Sequence, residues 1–426
     1  MIKRVTLITI VVALIAFIIL LYWSVSSTDE VYSRTTLIDF ETMEEIDFRD
    51  YDSILVSAST SYKADKIKKL FQGEQYREAW AAQVKIPIVF LDTLKGGMTI
   101  TKEGGGNQTH SLKLKDSSGV TYTLRSVNKD AKKLIPKFLK TLGLQNIVTD
   151  GISAQHPYAA LLVAKLADRA NVLNTHPKMV FVPKHDQLGK YTSEYGNRLY
   201  LFEYESEGDV NWTNIETVTE ILDTDDLQEL KQEIGDSLII DQRALVRSRL
   251  FDLLIGDWDR HTKQWGWAIN KTDSAYVALP IAADRDNAFF NIQGIVPSFL
   301  SNKHVVRELR PFKKDIDYLE GLVYPFDRYF LLETDKELFV EEAKKLQQLL
   351  SDEFLNDALK VWPKNIADLD GQEIISKMKE RRDDMVEYAI KFNAIIKKQG
   401  PVNEALKGSE DLELGPDLKG CFNCTR

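Results

Sequence analysis

The sequence predicts a mixed α+β protein in two lobes, a β-rich lobe followed by a mostly helical one, behind a single apolar N-terminal helix. Three observations carry that prediction. Positions 98–127 hold short segments of two-residue period, Met98–Thr101, His110–Lys115 and Val120–Val127, separated by glycine-rich and polar turns. Further along, apolar residues recur at helical spacing instead, as in Phe339, Ala343, Leu346 and Leu350, and again in Met378, Met385, Ala389 and Phe392. At the start, Lys3 and Arg4 precede VTLITIVVALIAFIILLYW, about twenty residues without a charge, the length a helix needs to span a bilayer.

Charges around that apolar run set its expected orientation. Basic residues before it, and Asp29 and Glu30 after it, place the N-terminus in the cytoplasm and everything after Ser24 on the far side of the membrane. A cleaved signal peptide is the competing reading, with Ser24-Val25-Ser26 as a weak cleavage site, but the length of the apolar run favours an uncleaved anchor. The expected partner of residues 5–23 is therefore the lipid bilayer, with the main domain extracytoplasmic. A chain of 426 residues can bury a substantial core in what remains. Its formal net charge of −9 argues against nucleic acid as a partner, since phosphate backbones demand clustered Lys and Arg. Cys421 and Cys424 lack a second pair, so a local disulfide or free thiols are expected rather than zinc. The expected divisions are an anchor at 1–27, a juxtamembrane region at 28–75, a β-rich lobe at 76–204, a helical lobe at 205–400 and a flexible tail at 401–426.

Leu250–Phe290 is the stretch richest in chemistry. Asp257, Asp259, His261 and Gln264 form one cluster and Asp284 and Asp286 a second. Between them, Trp265–Ile269 and Tyr276–Leu279 read as a hairpin with its turn at 270–274. Two carboxylate groups at neighbouring strand ends suit a divalent cation and a phosphate held between them. Upstream, Gly104, Gly105 and Gly106 make a turn whose backbone N–H groups can approach a phosphate, followed by Asn107, Gln108 and Thr109. Arg125, on the third strand, is placed to reach under that turn. Taken singly, each feature has a plainer reading: a simple turn, a structural ion pair, an ion-pair knot or a Ca²⁺ site. Trp258, Trp265 and Trp267 read as core residues. A metal-dependent hydrolase is disfavoured, because only His261 of six histidines lies near the acidic clusters.

The succession of strand, glycine loop, strand, basic strand, helix, hinge, acidic loop, hairpin, acidic loop and helices resembles the protein-kinase-like phosphotransferases. Asp259 and Gln264 are spaced like the Asp and Asn of the kinase catalytic loop. Gly256-Asp257-Trp258-Asp259-Arg260-His261 resembles the corresponding loop of HipA-type kinases and of the secreted casein-kinase family. Asp286-Asn287 resembles the D-N-G of the latter, and Gly105–Gln108 with Ser111-Leu112 resembles the HipA-type glycine loop. Asp284-Arg285-Asp286 resembles the D-x-D of CotH-type spore-coat kinases. Tyr76–Lys398 also resembles an uncharacterised bacterial group carrying GGGxQT, LRSxxKD, DWDRHxxQW and DRDxAF.

This resemblance implies a two-lobed protein-kinase-like fold and a set of roles. Asp259 would be the catalytic base, with His261 orienting its loop. Asp286 and Asp284 would hold Mg²⁺ or Mn²⁺, with Gln264 at the second-metal position. Gly104, Gly105, Gly106, Gln108 and Arg125 would bind the phosphates of ATP or another nucleoside triphosphate. Glu203, on the strand entering the hinge, would complete the nucleotide site. Three departures stand out: Arg125 replaces a lysine, Ala160 stands where its acidic partner is expected, and Gln264 is neutral. The implied function is a membrane-anchored phosphotransferase with an unidentified protein or small-molecule acceptor. The alternative is an inactive, pseudokinase-like binding or scaffold domain. Asn107-Gln108-Thr109 would be glycosylated in a eukaryotic lumen, inside the phosphate loop, which favours a bacterial inner-membrane protein.

Overall fold

The computed structural model describes residues 2–28, 35–37, 46–105, 109–272 and 275–423. Among the described residues, twelve strands fall into three sheets. Strands β1 (Thr36–Leu37), β2 (Ser53–Ser57) and β3 (Gln83–Pro87) form a small antiparallel sheet. The second sheet is antiparallel and runs β4-β5-β6-β8-β7, from β4 (Met98–Gly104), β5 (Ser111–Asp116), β6 (Thr121–Ser126), β7 (Lys178–Val182) and β8 (Arg198–Tyr204). The third, ordered β10-β12-β11-β9, takes β9 (Val218–Asp223), β10 (Leu238–Ile240), β11 (Trp265–Lys271) and β12 (Tyr276–Ala282), with β10 parallel to β12.

Alternation along the strands explains how the five-stranded sheet is covered on both faces. Leu199 and Leu201 join the main core, where Leu162, Val163 and Leu166 of the helix Ala159–Ala170 pack, while Tyr200 and Phe202 join a smaller cluster with Leu112 and Leu124. Arg125 pairs in register with Leu201, so its side chain shares the face of Leu201 and Glu203. Gly104 pairs with Ser111, and Ser111 with Arg125, which brings the glycine loop to the same end of the sheet as that arginine.

The helix Gln242–Ile255 begins where the Asp241 carboxylate accepts from the Ala244 N–H at 2.9 Å. It ends at Gly256 in the left-handed region (φ 69°), where a side chain would collide with Phe312 and Arg381. Apolar spacing predicts one buried face, yet every residue from Leu245 to Ile255 is buried. The reason is charge pairing. Asp252 accepts from Arg249 at 2.9 Å, from Arg260 at 3.1 Å and from Arg285 at 2.9 Å, and Arg249 also grips Asp327 through both carboxylate oxygens. Burial opposes ionisation of Asp252, but the charges of Arg260, Arg285 and Arg249 outweigh it and hold the carboxyl below its usual range.

Two expected divisions differ in the fold. The boundary at 75/76 separates nothing, because β2 pairs with β3 and the helix Lys66–Gln72 leads into buried Tyr76 and Arg77. The described residues after Pro401 are packed rather than loose: Val402, Leu406, Leu414 and Phe422 are buried, and Cys421 is in a disulfide. Apolar residues spaced among the glycines of that tail supply the burial that composition alone understated. At the other end, the helix Ile2–Ser26 is the one helix among the described residues long and apolar enough to cross a membrane, and it fits a single-pass anchor or a signal sequence. Its last turn is part of the fold. Ser24 is buried and accepts from Gln72 at 2.9 Å, while Lys68, also buried, reaches Thr28 at 2.9 Å and Asp150 at 3.0 Å.

Removing the central carboxylate tests this architecture. Asp252→Ala leaves three arginines without their shared anion, and a loss of about 3–5 kcal/mol in unfolding free energy is expected from urea denaturation. A loss within about 1 kcal/mol would mean that the arginines find other partners and the network is not structural.

Candidate functional site

A cavity of about 530 Å³ opens between the five-stranded sheet and the ends of the β11–β12 hairpin, a size that suits a small-molecule ligand. Gly105, Arg125, Lys129, Asp259, Asp284 and Asp286 line it, contributed by sequence-distant segments. A second cavity of about 650 Å³, beside His176, Tyr204 and Trp212, has one carboxylate, Asp168, in its wall. The cavity with the paired carboxylates is therefore the candidate site.

Its acidic residues are held by the network around Asp252. Arg260, fully buried, donates to the Ala283 carbonyl at 2.7 Å and the Gln264 carbonyl at 3.3 Å, tying the loop before β11 to the end of β12. Arg285 binds Asp252 between the two acids on either side of it. Those acids consequently turn towards the cavity. Asp284 has φ 51°, a left-handed conformation that costs a non-glycine residue about 1–3 kcal/mol and that its surroundings impose. The next turn is tied to the first part of the chain: Gln155 donates to Asn287, and the Tyr76 hydroxyl to the Phe289 carbonyl, each at 2.5 Å.

Charge pairing across the cavity is close. Arg125 donates to Glu203 at 3.1 Å and to Asp284 at 2.7 Å, and Lys129 lies 2.7 Å from Asp286. Burial works against ionisation of Asp284, but Arg125, Lys129 and Arg260 hold its carboxyl below the usual range, with help from Gln264. Asp286 moves the other way, because burial and then the charge of Asp284 outweigh Lys129. Asp259 is likewise raised, by burial and then by Asp284. His261, 3.8 Å from Asp259, is pushed down to about 4 by burial and by the charges of Lys407 and Arg260, so it is neutral near pH 7. Asp257 differs from its neighbours: it is buried, accepts from the Asp259 N–H at 3.2 Å and is raised well above a normal carboxylate by burial. It braces the loop.

The expected residues thus separate into groups. Asp259, His261, Gln264, Asp284, Asp286, Arg125 and Gly105 meet at one cavity. Gly104 closes β4 beside them, where a Cβ would crowd the Ser111 hydroxyl, and Gly105, at φ 96°, has no room for a side chain against the Thr109 carbonyl. Gly106 and Gln108 lie outside the described residues. Glu203 is placed differently from expectation. It is buried under Arg125, and its oxygens accept from Arg125 and, at 2.5 Å, from Thr175, so Glu205 and Ser206 line the cavity in its stead. Arg125 thus takes its acidic partner from the neighbouring strand β8, and not from the helix that holds Ala160. Trp265 and Trp267 are core residues as expected, whereas Trp258 lines the cavity. Lys129 and Lys407 are additions. Lys129 stands four residues after Arg125 in Leu124-Arg125-Ser126-Val127-Asn128-Lys129, a second cation close to the first in sequence. Lys407 arrives from the packed tail and had no local signal.

Among the described residues no group of three or more His, Cys, Asp or Glu is arranged to hold a metal ion. A nucleotide-bound divalent cation needs fewer protein ligands, since one or two carboxylates and the phosphates suffice. Asp284 and Asp286 fit that demand, and Asp284 Oδ1 is buried without a hydrogen-bond partner.

No family model matches the chain, and a search of curated proteins finds no match. Solved structures give distant likenesses. One is the Helicobacter pylori proinflammatory kinase CtkA, at 12% identity and TM-score 0.35, covering 68% of this chain and 95% of that one. Another is a chain in the Shewanella oneidensis MR-1 toxin–antitoxin complex of HipA, HipB and operator DNA. It shows 9% identity and TM-score 0.31, over 74% of this chain and 68% of that one.

Arg125→Ala tests the pairing. The depressed carboxyl of Asp284 adds stability above the ordinary carboxylate pKa of about 4, and that stability is lost as pH falls through the lower folded value. Glu203, already raised by burial, rises further without the arginine, and its penalty is relieved by protonation. Both effects shrink in acid. The stability gap between wild type and variant is expected to be widest near pH 7 and to narrow towards pH 4 in urea denaturation. A gap that does not change with pH would show that Arg125 acts by packing alone.

Proposed function

We propose that the chain is an atypical kinase-like phosphotransferase, two-lobed and held at a membrane by its N-terminal helix, using a nucleoside triphosphate with Mg²⁺ or Mn²⁺. One observation carries the reading: a glycine turn, four cations (Arg125, Lys129, Lys263 and Lys407) and four carboxylates (Glu205, Asp259, Asp284 and Asp286), drawn from distant parts of the sequence, line a single cavity. In this reading Gly104 and Gly105 lie over the phosphates, and Arg125 and Lys129 bind their oxygens. Asp284 and Asp286 hold the cation, which neutralises phosphate charge when bound. Asp259 accepts the proton of the acceptor hydroxyl as its oxygen bonds the terminal phosphorus and the bond to the nucleoside diphosphate breaks. Neutral His261 adds no further positive charge beside Asp259 to those of Lys407 and Arg260.

The pairing already present favours a second reading. Arg125 and Lys129 occupy the carboxylates a metal would need, and Gln264 brings no charge, as a pseudokinase-like recognition cleft would allow. The two readings predict different linkage. A metal and a nucleotide arriving together take over both halves of each ion pair, whereas either alone leaves charge unbalanced. Under the phosphotransferase reading, ATP or GTP with Mn²⁺ is expected to raise the melting temperature by more than the sum of the separate shifts, and Asp284→Ala or Asp286→Ala to abolish the excess. No shift for any nucleotide, with Asp286→Ala matching wild type, defeats this reading.

Transfer itself is followed with labelled phosphate. Asp259→Asn is expected to slow transfer about 10²–10⁴-fold with the nucleotide-dependent thermal shift retained. The rate is expected to fall in acid from a pH above that of an ordinary aspartate, because Asp259 must be ionised and its pKa is raised. His261→Ala is expected to leave that limb in place.

A further inference from the structure

Outside the N-terminal helix, the four most exposed large apolar side chains among the described residues are Phe299, Phe138, Leu70 and Leu142, at 71, 62, 59 and 52%. They come from three separate stretches of chain, and all three pack around the last turns of the apolar helix. Leu139 and Val296 join Leu21, Val25, Leu144 and Ile147 in one hydrophobic cluster. The ring of Phe71 lies 5.3 Å from that of Phe17, and the Tyr22 hydroxyl donates to the Leu142 carbonyl at 2.6 Å. Lys66, Lys132, Lys137, Lys140 and Lys303, on or beside the same stretches, are exposed.

The apolar helix gives this face a height. From Val5 to Trp23 it rises about 28 Å, close to the hydrocarbon thickness of a bilayer, so the lipid–water boundary falls near Trp23. Phe17 lies about 9 Å below that level. Its contact with Phe71 therefore carries the helix Lys66–Gln72 into the headgroup and upper acyl region, where interfacial helices bury their apolar side. The domain has no slack with which to rise, since Ser24, Thr28, Lys68 and Asp150 join the helix to it through buried hydrogen bonds.

We propose that the folded domain seats on the bilayer through Phe138, Leu142, Phe299 and Leu70, with the surrounding lysines on anionic phospholipid headgroups. This rests on reading the N-terminal helix as a membrane anchor. Continuity of the patch with that helix and the basic rim specify lipid as the occupant, because a lysine rim repels an identical copy of itself.

The test uses the full chain in phosphatidylglycerol-containing nanodiscs. Phe138→Cys, Phe299→Cys, Val12→Cys and, as control, Ile239→Cys on the exposed edge strand β10 are each labelled with an environment-sensitive fluorophore. Shallow spin-labelled lipids are expected to quench positions 138 and 299 at least about twofold more than position 239, and deep ones to quench position 12. Quenching at 12 with 138 and 299 matching 239 overturns the seat and leaves the anchor standing. No quenching at 12 removes the anchor, and the seat with it. Shielding of 138 and 299 from both lipid quenchers and aqueous iodide overturns the proposal in favour of a second copy covering the face.

Discussion

Asp259, Asp284 and Asp286 in the candidate site depend on one carboxylate that never reaches it. Asp252 sits inside the protein and is the one anion that Arg249, Arg260 and Arg285 share. Arg260 fixes the loop before β11, Arg285 fixes the turn after β12, and Arg249 carries the constraint on to Asp327. Because both acidic loops hang from the same anion, Asp259 and Asp284 are held near each other against their mutual repulsion, and Asp284 accepts a left-handed backbone. The electrostatic cost of the site is thus offset one layer deeper, by arginines that share Asp252 and Asp327.

Within the cavity, charge is balanced pair by pair. Arg125 faces Asp284 and Lys129 faces Asp286, so neither acid depends on a bound cation to stay compatible with the fold. Opposite shifts of the two carboxyls follow from this arrangement. Asp284 has three cations, Arg125, Lys129 and Arg260, and the Gln264 amide nearby and is easier to ionise, while at Asp286 burial and its neighbour's charge outweigh Lys129 and Arg125.

Much of this was legible in the residues, for identifiable reasons. Strands β5 and β6 follow from alternation, and the β11–β12 hairpin from two runs of strand-forming residues around a polar turn, which are local signals. Asp259, Gln264, Asp284 and Asp286 sit at the ends of those elements, so finding the elements found the acids. What could not be read locally was pairing. Glu203 looks like a strand-end residue at a hinge, and only the register of β6 against β8 turns it beneath Arg125. Asp252 looks like a polar residue on the outer face of an amphipathic helix, and its burial depends on arginines that follow at 260 and 285. Lys407 belongs to a tail whose glycines masked four buried apolar side chains. Lys129 stands close to Arg125 in sequence, yet its partner lies more than a hundred residues away.

The hydrogen bonds that bind Ser24 and Thr28 into the domain make the N-terminal helix a post rather than a leash. An enzyme on a flexible tether sweeps a hemisphere and can meet targets at many heights above a membrane. One fixed to a rigid post works at a single height and a single tilt. For a helix held in a bilayer, the mouth of the cavity would then stay at a constant distance from the lipid surface. Under the phosphotransferase reading, selection among acceptors would come from how far they project, before any side chain in the cavity is consulted.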